Sequence, residues 1–193
     1  EYSWLSIWLD NMTLTLADKQ AGVLRGMRLG LMISILMILY GIFFNPWSFP
    51  DSQAMDGKLV VLGWSLLIPC LFLIGSIARI AKHRFFSSVD IDSSAATSSS
   101  LKLICLQSIL QNTLEQTVLA MVVYLLWILM TPSAWLSALP LSSCCFLVGR
   151  ILFVGGYRKG AVSRALGFAL TFYPLVMMFI LILFSSLCRV LQT

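Results

Sequence analysis

Glu115 is the only acidic residue between Asp92 and the carboxyl terminus, and it stands in a mostly apolar stretch, residues 101–131. Ser108 lies four residues before Asn112, and Asn112 three before Glu115. At 100° per residue these three side chains fall within about 60° of one another on a helix, with Gln111 beside them. A carboxylate near hydrocarbon is costly unless it is paired, so this acid–amide stripe reads first as a functional site. The alternative is helix–helix glue, in which amides and acids hydrogen-bond a neighbouring helix.

Arg150, Arg158, Lys159 and Arg164 form a second group, with Tyr157 among them. Guanidinium and ammonium groups of this kind pair with carboxylates. Their blander reading is as topology determinants at a membrane edge, with Tyr157 in the aromatic belt. Cys70, Cys105, Cys144, Cys145 and Cys188 lie in or next to apolar runs without a CxxC pair, and His83 is the single histidine. These cysteines read as small buried hydrophobes rather than as a disulfide framework, and no metal site is expected. Neither His83 nor Lys102 is assigned a role.

Positioning these residues is a task for membrane helices. The chain is 59% hydrophobic and 11% charged, with a mean hydropathy of +0.92. A water-soluble core of 193 residues cannot hide that much apolar surface. The long apolar runs point to helices rather than to an outer-membrane barrel. A net charge of +5 gathered in particular loops reads as topology, not as a nucleic-acid surface.

Five spans are expected, at residues 27–44, 59–81, 101–130, 134–154 and 164–187. Pro140 is expected to kink the fourth, and Gly155-Gly156 to open a basic loop. The Ser-rich piece at 93–100 reads as a mobile loop. Trp4, Leu5, Trp8, Leu9 and Met12 recur at helical spacing and suggest an interfacial helix over residues 3–17. Glu1 opens the chain without the basic-then-apolar order of a signal peptide, and the start reads as processed or truncated. The resulting division is 1–26 as an interfacial amphipathic segment, 27–57 as a first span and loop, and 58–193 as a four-helix bundle.

Lys19, Arg25 and Arg28 precede the first span, Arg79, Lys82, Arg84 and Lys102 flank the second loop, and Arg150, Arg158, Lys159 and Arg164 flank the fourth. The positive-inside rule places the amino terminus and these loops in the cytoplasm, with the carboxyl terminus on the opposite side. In the third span, eight of the eleven residues at 107–117 are polar. Glu115 therefore belongs near the cytoplasmic interface, on the side that carries the basic loops.

The stretch Leu110-Gln111-Asn112-Thr113-Leu114-Glu115-Gln116-Thr117-Val118, followed by Gly149-Arg150, Gly156-Tyr157 and Arg164-Ala165-Leu166-Gly167-Phe168, resembles the MAPEG family. These are membrane-associated proteins in eicosanoid and glutathione metabolism, and the likeness is to the bacterial branch over about residues 59–190. It implies an all-α membrane protein, a MAPEG-like four-helix antiparallel bundle, here with one additional amino-terminal helix. It also implies a homotrimer in a bacterial inner membrane, with glutathione bound as co-substrate near the cytoplasmic face. By resemblance Asn112 and Glu115 contact the tripeptide, Tyr157 lies beside it, and Arg164 is the catalytic residue that polarises or deprotonates the thiol. Gln111, Arg150 and Lys159 complete the expected binding set, the last two as partners for a carboxylate.

Three positions depart from glutathione-conjugating relatives: Ser108 stands where an arginine is common, and Gln116 and Phe153 stand where tyrosines occur. Two functional readings follow. One is a glutathione-dependent transferase or peroxidase acting on lipophilic small molecules. The other is a non-enzymatic subunit, either a lipid-binding scaffold or an accessory component of a larger membrane complex.

Overall fold

The computed structural model describes residues 15–47, 49, 54–92 and 99–191. Five long helices appear among them: α1 (Leu16–Phe43), α2 (Met55–Phe85), α3 (Leu101–Met130), α4 (Ala138–Gly156) and α5 (Ala161–Val190). Each is long and apolar enough to cross a membrane. The protein is an all-α integral membrane protein. The expected interfacial helix at 3–17 lies outside the described residues up to position 14, as does the Ser-rich piece at 93–98.

Local chemistry sets the helix starts. Thr15 caps α1, its hydroxyl accepting from the Asp18 N–H at 3.2 Å, while the Asp18 carboxylate accepts from the Thr15 N–H at 3.2 Å. The first helix therefore begins at Leu16, eleven residues before the expected 27. The polar and charged residues at 18–20 do not delay it, because a capped first turn tolerates them. Ser100 caps α3 by accepting from the Leu103 N–H at 3.2 Å.

Two expected features of the fourth span are corrected. A 3-10 turn (Ser133–Trp135) precedes it, so α4 starts at Ala138 and Pro140 falls in its first turn. There the missing N–H is one that the helix leaves without an internal partner anyway, and no kink is required. At the other end the helix runs through Gly155 and Gly156 into a second 3-10 turn (Tyr157–Lys159). The break comes at Gly160, whose φ of 103° is a conformation that side chains with a Cβ rarely adopt.

Helix α5 packs against both α4 and α1, and α2 packs against α3 and α4. Tyr124, Trp127, Phe146, Leu175 and Met178 fill the core between them. Pro69, inside α2, cannot donate to the Ser65 carbonyl one turn earlier. Ser143 of α4 supplies the missing donor, its hydroxyl lying 2.6 Å from the Ser65 oxygen. A break in one helix thus becomes a tie to another.

All the lysines and arginines except Lys58 and Arg189 gather at one end of the antiparallel bundle. The α2–α3 connection is fastened there by Asp90, which is fully buried. Its carboxylate accepts from the Ser100 N–H at 2.9 Å, the Ser100 hydroxyl at 2.6 Å and the Ser87 hydroxyl at 2.9 Å. His83 Nε2 lies 3.0 Å away. These hydrogen bonds, those from Ser100 foremost, hold the Asp90 carboxyl down at about 2. His83, to which the sequence assigned nothing, therefore helps close this loop.

Candidate functional site

The site is built where α4 turns into α5. Gly149 and Gly167 let the two backbones touch: a Cβ on Gly149 would stand 2.8 Å from the Gly167 oxygen. With no room for side chains between the helices, residues on either side of the seam face one another. The Arg150 guanidinium lies 4.4 Å from the centre of the Phe153 ring. Phe153 meets Tyr157 edge-on at 5.4 Å, and the Arg164 guanidinium lies 4.6 Å from the Tyr157 ring centre. Two rings are bracketed by two cations, an arrangement favoured by the negative faces of the rings.

Arg150 is fully buried. Its Nη1 donates to Asn112 Oδ1 at 2.9 Å and approaches Thr113 Oγ1 at 3.4 Å, while Nη2 donates to Thr171 Oγ1 at 3.2 Å. It therefore joins α3, α4 and α5 from inside the bundle. This corrects the expectation of a carboxylate-binding residue: Arg150 does not line the cavity described next. A buried guanidinium must find acceptors, and the chain supplies them to both terminal nitrogens, while Nε is left without one among the described residues.

A cavity of about 380 Å³ opens beside this network. Ser108 and Asn112 of α3, Tyr157 of the turn and Arg164 of α5 form its polar side. Phe153, Ala165 and Phe168 line it on the apolar side, together with Val23 and Met27 of α1. Among the described residues no carboxylate lies within ion-pair distance of Arg164. Among the described residues the cavity therefore carries a positive charge without an ion-pair partner at one side and hydrocarbon at the other. Its size is that of an ordinary small-molecule site.

Glu115 lies elsewhere. It lines an open groove of about 480 Å³ made by α3 alone, with Gln107, Ser108, Gln111 and Asn112. Gln111 Nε2 donates to Glu115 Oε1 at 2.9 Å, and both residues are exposed. Ser108 and Asn112 line both spaces, so the groove and the cavity meet along their shared wall.

Of the expected residues, Asn112, Tyr157 and Arg164 are brought to one cavity, and Glu115 and Gln111 lie around the helix from it. Lys159 is exposed on the turn and does not line either space. The cysteines are not buried as expected: Cys70 and Cys144 are exposed, and the other three are half-buried. In a membrane the surrounding solvent is itself apolar, so a small apolar side chain has no need of the interior. Sequence reasoning missed Val23 and Met27, and it missed Thr171 as a partner of Arg150. Thr171 lies seven residues after Arg164, hence on much the same face of α5, which was the available signal.

No curated protein and no solved structure matches the chain. The model of the MAPEG family matches it over residues 61–184, a range that takes in most of α2 to α5, including Asn112, Glu115, Tyr157 and Arg164. With more than half of its length matched, this chain belongs to the MAPEG family.

Proposed function

We propose that the protein is a glutathione-dependent transferase or peroxidase acting on lipophilic electrophiles that dissolve in the membrane. The observation that carries this reading is the shared wall of Ser108 and Asn112, with Arg164 and Tyr157 on one side and Glu115 on the other. A tripeptide laid across that wall finds a carboxylate for its ammonium and a guanidinium for its thiol. A cation beside a thiol favours the thiolate, which is the nucleophile. In transfer, sulfur bonds to the electrophilic carbon and the leaving group departs with the bonding pair. With a hydroperoxide, the thiolate attacks oxygen, the O–O bond breaks and an alcohol is released. A second glutathione then yields the disulfide and water.

The exposed stripe of Gln111 and Glu115 is a poor surface to show to lipid. We place it at the interface of a homotrimer in a bacterial inner membrane, with the basic end of the bundle in the cytoplasm. A clean monomer or dimer by mass measurement in mild detergent would sink the trimer.

A second reading, a non-enzymatic lipid-binding or accessory subunit, is favoured by Ser108. It supplies no cation where glutathione-conjugating relatives have one, and its hydroxyl donates to the Ile104 carbonyl at 3.0 Å. Calorimetric titration of the purified protein with glutathione separates the two. Saturable heat supports the enzyme. None at millimolar ligand, under conditions where a known relative binds, ends it.

A further inference from the structure

The first helix precedes the range matched by the family model, yet it contributes to the cavity. Gly22, Gly26 and Gly30 recur every four residues on α1 and face Val162, Ala165 and Ala169 of α5. A Cβ at Gly26 would lie 3.1 Å from the Leu166 nitrogen and 3.2 Å from the Ala165 Cβ, and one at Gly30 would collide with the Ala169 Cβ. Helix α1 is thus docked backbone-close and in a fixed register, not laid loosely on the bundle.

That register decides which residues reach the cavity. Val23 and Met27 each follow a contact glycine by one position, so they project about 100° round the helix from the docked stripe. Four residues apart, they share a face, and that face lines the cavity together with Asn112. Both are half-buried. Valine is stiff and methionine is adaptable, which together make a wall of defined depth with a yielding end.

We propose that Val23 and Met27 are specificity-determining residues, setting the length of the apolar tail accepted by the cavity beside Arg164. The ligand class is an amphiphile with an acceptor-rich head and a short hydrocarbon part. For the identity of that head, and only for that, the proposal rests on the glutathione reading.

The test uses the full chain in lipid nanodiscs. Binding is measured for glutathione, for its S-methyl, S-hexyl and S-octyl derivatives, and for octanoate, whose head is a plain carboxylate. In Met27→Trp the affinity ratio of S-hexylglutathione to glutathione should fall about tenfold, the scale of a filled hydrophobic subsite. In Met27→Ala the favoured chain should become longer than in the wild type. If Met27→Trp does not fold, Met27→Ala and Val23→Ala carry the test in the enlarging direction. A chain-length profile identical in wild type and variants, with glutathione still bound, overturns the wall and leaves the enzyme reading standing. Octanoate affinity that responds to Met27, with no glutathione bound, supports the wall and removes the enzyme reading. Failure of every probe to bind overturns both.

Discussion

Arg150 holds Asn112 by its carbonyl oxygen, at 2.9 Å from Nη1. An arginine can only donate, so the amide oxygen must face it and the amide nitrogen must point elsewhere. Asn112 lines the cavity, and it therefore meets a ligand as a donor. Arg164 is donor-only as well, so these two residues favour acceptors, while the Ser108 and Tyr157 hydroxyls on the same side can also accept. If Arg150 acts through Asn112, their substitutions will not add. A double-mutant cycle of Arg150→Met and Asn112→Ala, read by thermal unfolding, should give a coupling energy of about 1–2 kcal/mol.

Glu115 and Arg164 should separate in function. Glu115→Gln should weaken glutathione binding by about 1.5–3 kcal/mol, the value of a charge-assisted contact to the ammonium. Arg164→Ala should leave binding largely in place but lower the thiolate absorbance of the bound ligand at neutral pH. Titration by calorimetry and ultraviolet difference spectra check the two. A Glu115→Gln protein that binds normally but dissociates into smaller assemblies would show that the acid serves contact between subunits instead.

The tie between α2 and α4 should be measurable. Ser143→Ala leaves the Ser65 carbonyl without its donor and should cost about 1–3 kcal/mol in thermal or denaturant unfolding. In a Pro69→Ala background the restored backbone N–H can take the Ser65 oxygen. The same substitution should then cost clearly less.

Acid should loosen the α2–α3 connection. Asp90 has its folded value depressed from 3.8 to about 2. Its contribution to stability is therefore fully present above pH 3.8 and is lost as pH falls towards 2. Protease sensitivity of this connection should rise over that window in the wild type. Asp90→Asn should be more sensitive at neutral pH and show little further change on acidification.

The helices were legible because hydrocarbon demands long apolar runs, and the motif order carried Asn112, Tyr157 and Arg164 to a shared site. The ends were less legible. Capping by Thr15 and Asp18 and the positive φ of Gly160 are decided by a few atoms, whereas apolar run length is blind to both. Arg150 was misread because an arginine near a basic loop looks exposed. Only the packing of α3 and α5 against α4 reveals that its acceptors come from inside. The α1 wall was hidden for a similar reason. Val23 and Met27 are ordinary apolar residues until the glycine stripe fixes the direction in which they point.

The buried guanidinium also bears on how the chain is made. An arginine within a spanning helix disfavours insertion by up to about 3 kcal/mol when it has no partners. Of its acceptors, Asn112 and Thr113 emerge from the ribosome before Arg150, and Thr171 emerges after it. Helix α4 can therefore enter lipid against an α3 that already offers two oxygens, and it is secured only when α5 follows. A released chain truncated after Gly156 should hold α4 less firmly in the bilayer than one that continues past Thr171.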